Sequence, residues 1–166
     1  NGVSPIQEKQ MVTQKGANTF VVGIHGNFDD AQTGVKKIFS DKELAKEMDE
    51  KGFQFSSANS INIGRLVPQI CYYVYAYAQL LKDGKITEGE KINVVVPTGN
   101  FGNILAAFYA KNMGLPIDKL ICASNDNKVL YDFFRTGTYD RRRSFYRTLS
   151  PSMDILISSN LERLLY

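Results

Sequence analysis

Histidine and cysteine are scarce in this chain, with one His and two Cys among 166 residues. Cys71 and Cys122 each lie in an apolar stretch without metal-ligand spacing, which predicts buried free thiols, a reducing compartment and hence a cytoplasmic location. His25 has no Cys, Asp or Glu at ligand spacing, so no metal site is expected. Its imidazole reads as structural or solvent-bonded, with Asp29 as the candidate partner. An excess of one charge is also lacking. Twenty Lys and Arg stand against seventeen Asp and Glu, a net charge of +3, too little to argue for nucleic acid or membrane as partner; small molecules remain. The most apolar stretch, Ile70 to Leu81, falls far short of the ~20 residues that span a bilayer. The N-terminus has no basic flank leading into an apolar core, so no signal peptide is expected. It opens on Asn1 rather than Met, so the chain reads as an internal piece of a longer one.

What is present is a core-forming composition. Hydrophobic residues make up 43% and charged residues 22%, which suits one domain or two small ones and argues against disorder. Helix and strand patterns alternate. Pro5 can open a helix from Ile6 to Lys15, stopped by Gly16, and Thr19 to Ile24 reads as a buried strand. A helix over Asp29 to Phe39 follows, then a segment capped by Ser40 that runs through Lys51 to the breaker Gly52, then a short strand over Phe53 to Ser57. Leu66, Ile70, Val74, Tyr77 and Leu81 have helical spacing, with Pro68 tolerable only in the first turn. Ile92 to Val96, the helix Ile104 to Met113 and the strand Lys119 to Ser124 form a βαβ unit, which implies parallel strands and a right-handed crossover. Beyond Asn125 the pattern is irregular, with Arg141, Arg142 and Arg143 reading as a solvated cluster.

Inside that unit the loop Gly99-Asn100-Phe101-Gly102-Asn103 joins strand to helix. Helix-start N–H groups have no intrahelical partner and carry the positive end of the dipole, and glycines let a ligand approach the main chain closely. The loop has no acidic residue to repel an anion and no Lys or Arg to attract one. Its attraction is therefore that of amide dipoles, about 0.3–1 kcal/mol for an exposed anion and up to about 2 when partly buried. An internal control supports the reading. The strand-like run to Ile24 is followed by Gly26-Asn27-Phe28, but then by Asp29 and Asp30, whose carboxylates occupy the dipole; with Asn27 or Asp29 as N-cap, that copy would repel phosphate.

A second constellation, Asn59-Ser60-Ile61-Asn62-Ile63-Gly64-Arg65, precedes the long helix. Ser60 and Asn62 are placed to cap it, and Arg65 opposes the dipole unless an anion engages both the guanidinium and the free N–H groups. Read on its own, Arg65 equally fits a side chain that reaches solvent or pairs with an acid. Both loops fall where ligands bind in open α/β sheets, at the carboxyl ends of strands. The Gly99 to Gly102 spacing also matches the GXXG clamp of RNA-binding KH modules, although there the loop joins two helices. The three-glycine dinucleotide fingerprint and the Gly-Lys-Ser/Thr of a P-loop are missing.

Val95 to Asn103 (Val-Val-Pro-Thr-Gly-Asn-Phe-Gly-Asn), Asn59-Ser60-Ile61-Asn62 with Arg65, Gly26 to Gln32 and Ala123-Ser124-Asn125 together closely resemble threonine synthases, over essentially the whole chain. The resemblance implies the fold type II class of pyridoxal-phosphate enzymes: an α/β fold with an open, mostly parallel sheet and helices on both faces, residues 1–59 from a small domain and 60–166 from a large cofactor-binding one. It implies a lyase of threonine biosynthesis that converts O-phosphohomoserine and water to threonine and phosphate. Carried across by position, Gly99, Asn100, Phe101, Gly102 and Asn103 would cradle the phosphate of pyridoxal 5'-phosphate, and Ser60, Asn62 and Arg65 would grip the substrate phosphate. The family's Schiff-base lysine stands in a Phe-Lys-Asp context that none of the lysines here has, so no catalytic residue is assigned and this section alone is expected to be inactive. Without the resemblance, the residues also fit a non-catalytic anion- or nucleotide-binding α/β module.

Overall fold

Chain order sets up two units, residues 1–56 and 57–166, in a computed structural model that describes residues 5–26 and 28–166. In the first unit, helix α1 (Pro5–Val12) stops earlier than the spacing predicts. Thr13 Oγ1 donates to Lys9 O (2.6 Å) and Gln14 Nε2 to Gln10 O (2.9 Å), so side chains occupy carbonyls that further turns would use. Helix α2 (Phe28–Ser40) places Asp29 in its first turn rather than at its cap; Asn27, the other expected cap, lies outside the described residues. Helix α3 (Lys42–Glu50) is capped by Asp41, whose Oδ1 accepts from Glu43 N (3.1 Å) and Leu44 N (3.0 Å). The expected cap, Ser40, instead donates back to Lys36 O (2.5 Å) in the last turn of α2. The two helices pack together, and the rings of Phe39 and Phe55 meet edge to face at 5.9 Å.

The expected strands at Thr19 to Ile24 and Phe53 to Ser57 do not form. A strand is defined by its ladder, and no described segment pairs with either run. Phe20 and Val22 are accordingly 83% exposed, so the apolar pattern that marks a strand is present without its hydrogen-bonding partner.

In the second unit the long helix is broken as its proline requires. A single turn α4 (Ile63–Leu66) and a 3₁₀ turn, Val67–Gln69, that accommodates Pro68 lead into α5 (Ile70–Lys82). Strand β1 (Ile92–Pro97), helix α6 (Gly102–Asn112) and strand β2 (Ile117–Ala123) complete the βαβ unit. The strands are parallel, with Val94 opposite Leu120 and Val96 opposite Cys122. Period-two alternation turns Val94 and Val96 into the core, while Val95 and Ile121 stand exposed on the other face. Leu105, Ala106 and Ala107 of α6 are fully buried, and the small side chains beside Leu105 let the helix lie close to both strands.

Cys71 is exposed rather than buried, because α5 turns that side away from the core, and only Cys122 is half-buried; burial pushes its thiol pKa up, with a Thr98 hydrogen bond opposing. The region after Asn125 contains helix α7 (Val129–Thr136), ended by Gly137 at φ 73°, and the short α8 (Glu162–Leu165). Val129 and Leu130 of α7 join the core, and Arg143 binds Asp132 at 2.7 Å instead of standing in solvent. No helix among the described residues is long and apolar enough to cross a membrane.

Leu105 has no exposed surface, so Leu105→Ala should cost about 2–5 kcal/mol, the transfer loss plus the cavity left behind. Urea unfolding of the protein measures it. A loss within the scatter of surface substitutions would mean that α6 does not pack as described.

Candidate functional site

Thr98 makes the last rung to β2, its N–H donating to Ala123 O (2.9 Å), and the chain then leaves the sheet. The reversal into α6 is made by Phe101, at φ 64° and ψ 5° the only non-glycine residue with positive φ among those described. A left-handed conformation costs such a residue about 1–2 kcal/mol. Burying its ring, which is 5% exposed and 6.0 Å from the ring of Phe134, returns about 1.5–3 kcal/mol. The core therefore holds the turn that glycine would otherwise make.

The result is a run of unpaired donors. Among the described residues, none of the backbone N–H groups from Gly99 to Ile104 meets a protein acceptor; the first bond of the helix runs from Leu105 N–H to Phe101 O (3.2 Å). Most of these residues are buried or half-buried, where unsatisfied donors are costly. A dianionic phosphate is the complement of that arrangement, so the residues fit the group that the resemblance implies. Side chains of the loop also bind the protein, Asn100 through Oδ1 and Asn103 through both ends of its amide. Asn103 donates from Nδ2 to Gln69 Oε1 (2.8 Å) and accepts at Oδ1 from the Tyr73 hydroxyl (2.5 Å), a phenol whose pKa burial raises. Asn103 Oδ1 and one Nδ2 hydrogen are thus taken, which leaves its main-chain N–H and the second Nδ2 hydrogen for an anion.

The two constellations meet. A Cβ on Gly102 would lie 3.8 Å from Ser60 Cβ and 3.5 Å from Asn160 Nδ2. Ser60 Oγ lies 3.3 Å from Ser159 Oγ, which donates to Asn100 Oδ1 at 3.2 Å. Ser60 is not a helix cap, since its N–H and hydroxyl turn to Asn59 Oδ1. Asn62 is one: its Oδ1 accepts from Gly64 N (2.9 Å) and its Nδ2 donates to Ser57 O (2.6 Å), so both ends of its amide are engaged structurally. The helix it caps is a single turn, which weakens the dipole argument for a second anion there. Arg65 stays exposed and donates from Nη1 to Ala58 O (2.9 Å), pairing with no carboxylate among the described residues.

Sequence reasoning missed the segment that joins these parts. Asp154, 8% exposed, accepts from Asn125 Nδ2 (2.8 Å), Asn127 Nδ2 (3.0 Å), Thr148 Oγ1 (2.7 Å) and Thr148 N (2.9 Å). Those bonds fix the backbone that places Ile155 against Gly99, where a Cβ would come within 2.8 Å of Ile155 Cδ1. Further on, Asn160 Nδ2 donates to Asn100 O (2.9 Å), and Arg163 reaches Ile61 O (2.7 Å) and Ser60 O (3.4 Å). The polar run Ser158-Ser159-Asn160 was the available signal, but nothing local says which loop it meets some sixty residues away.

A parallel βαβ unit with a glycine loop opening on unpaired amides is common to phosphate-binding α/β folds, and solved structures narrow it to the fold type II pyridoxal-phosphate enzymes. The chain superposes on threonine synthase from Escherichia coli with TM-score 0.82 at 38% identity, covering 99% of this chain and 36% of that one. It matches pyridoxal-phosphate-bound threonine synthase from Brucella melitensis with TM-score 0.77 at 44% identity, over 98% of this chain and 33% of the other. In sequence it is 52% identical over its whole length to human threonine synthase-like 1, of which it covers 23%, and 46% identical to Saccharomyces cerevisiae threonine synthase over 99% of its length, covering 30% of that protein. No family model matches the chain. It is homologous throughout to a section of the threonine synthases and threonine synthase-like proteins, and spans about a quarter to a third of the length of the relatives it matches. The RNA-binding alternative fails on topology, because the loop joins a strand to a helix.

The glycines separate fold from ligand. Gly99→Ala drives a Cβ into Ile155 Cδ1 at 2.8 Å and Met153 Cα at 3.3 Å and should cost about 1–3 kcal/mol in urea unfolding. Gly102→Ala meets only ordinary contacts at 3.5 and 3.8 Å and opens a helix, so it should stay within about 1 kcal/mol of the parent. Equal losses would contradict the packing of residues 153–155 on the loop.

Proposed function

We propose that this chain is the section of a threonine synthase that holds the phosphate of pyridoxal 5'-phosphate and grips the phosphate of O-phosphohomoserine, residues 1–59 serving in a small domain and 60–166 in the large cofactor-binding one. The observation that carries this reading is the run of N–H groups from Gly99 to Ile104 that find no acceptor among the described residues, with no acidic side chain among them. Gly99, Asn100, Phe101, Gly102 and Asn103 form the cofactor cradle through their main chain. Ser60 and Arg65 act on the substrate phosphate. Asn62 shapes the turn that presents them, and its own amide is engaged by Ser57 and Gly64. The two free cysteines support a reducing, cytoplasmic setting.

Bound pyridoxal phosphate supplies an electron sink for carbanions formed on the substrate. The residues of this chain contribute position and charge. The amides from Gly99 onward anchor the cofactor by its phosphate without a side-chain cation, so its ring is free to be oriented by groups elsewhere. Arg65 has donors beyond the one given to Ala58 O. A guanidinium can hold a phosphate bidentately and offset charge that grows as phosphate departs with the electrons of its C–O bond.

Arg65→Lys keeps the charge and loses the fork. In the full-length protein it should raise KM for O-phosphohomoserine, with part of the loss in kcat because phosphate leaves, and should not move the resting cofactor spectrum. Unaltered kinetics would remove Arg65 from the substrate site, and an altered resting spectrum would put it at the cofactor.

A further inference from the structure

Asn160 has no exposed surface, and both ends of its amide are committed. Nδ2 donates to Asn100 O (2.9 Å) and Ser159 Oγ (3.2 Å), while Oδ1 accepts from the Arg163 guanidinium. Arg163 extends the chain of contacts in the other direction, to Ile61 O at 2.7 Å and Ser60 O at 3.4 Å. One buried amide and one guanidinium thus tie the loop at Asn100 to the loop at Ser60, across gaps of sixty and about a hundred residues in sequence.

Arg163 carries a second peculiarity. It is half-buried, yet it pairs with no carboxylate among the described residues, and its three hydrogen bonds there all go to neutral oxygens. A cation withdrawn from water without a counter-ion is costly. Its guanidinium lies against the Ser60 and Ile61 carbonyls and against Asn160, which itself binds Asn100 of the loop whose amides are unpaired, so an anion bound at that loop would compensate both.

We infer that Asn160 and Arg163 are positioning residues for the phosphate cradle. Asn160 holds the Asn100 carbonyl back so that the following amides face the anion. Arg163 fixes the Ser60–Ile61 backbone against Gly102 and lends its charge to the bound phosphate. Neither need touch the ligand. The inference rests on the proposed role of the Gly99 to Asn103 loop, and its test must tell the two apart.

The probes are pyridoxal phosphate and pyridoxal, which share a ring and aldehyde and differ in the phosphate alone, titrated into the full-length protein. Asn160→Asp keeps the shape and the acceptor for Arg163 but faces Asn100 O with a carboxylate oxygen. It should weaken pyridoxal phosphate roughly tenfold or more, the scale of a lost hydrogen bond with an unpaired buried group left behind, and pyridoxal by less than about threefold. Arg163→Gln, read the same way, should also lose affinity selectively for the phosphorylated form, and Arg163→Lys should recover part of it; this series decides the matter if Asn160→Asp does not fold. A wild-type preference for pyridoxal phosphate that survives these substitutions, or equal loss of both probes, overturns the inference and leaves the cradle standing. A wild-type protein that binds the two probes alike overturns the cradle and the inference with it.

Discussion

Main-chain donors that find no acceptor inside a protein must be turned toward something outside it, and that constraint organises the second unit. Among the described residues the N–H groups from Gly99 to Ile104 meet no protein acceptor: those from Phe101 onward are the open start of α6, and those of Gly99 and Asn100 lie where the chain leaves the sheet for the left-handed turn at Phe101. The turn is stable only because the ring that makes it is buried beside Phe134. The α7 helix, which supplies Phe134, is therefore part of the site's foundation although it contributes no group to it.

The surrounding contacts all act to keep the donors open. Asn103 is turned to Gln69 and Tyr73, Asn100 to Ser159 and Asn160, and Gly99 is packed by Ile155. Each side chain that could have folded over an amide is occupied elsewhere. The segment from Asp154 to Arg163 does most of this, anchored at one end by four donors on a buried carboxylate and at the other by the guanidinium of Arg163. Stability and ligand readiness are in tension here, since the same loop would be easier to fold if its donors were satisfied internally.

Local signals were legible in the sequence where the physics is local. The βαβ unit, the parallel pairing, the loop at a helix start and the cap at Asn62 all follow from periodicity, glycine placement and capping chemistry over a few residues. The strands at Thr19 and Phe53 did not form, because a strand is completed by a partner rather than by its own pattern. Ser40 lost the cap to Asp41, one residue on, where the carboxylate can reach two N–H groups. Cys71 is exposed because α5 has apolar residues on more than one side and periodicity alone does not choose the buried face. The meeting of Ser60, Asn100 and Asn160 was out of reach, since it is a contact between three distant loops whose individual sequences carry no address.

Amide hydrogen exchange across the β1–α6 loop reads these donors one by one. If the unpaired N–H groups from Gly99 to Ile104 bind the cofactor phosphate, adding pyridoxal phosphate to the full-length protein should slow exchange at those amides, while pyridoxal, lacking the phosphate, should slow it far less. Unchanged exchange in this loop at saturating pyridoxal phosphate, with protection appearing elsewhere in the chain, would mean that these amides do not hold the phosphate.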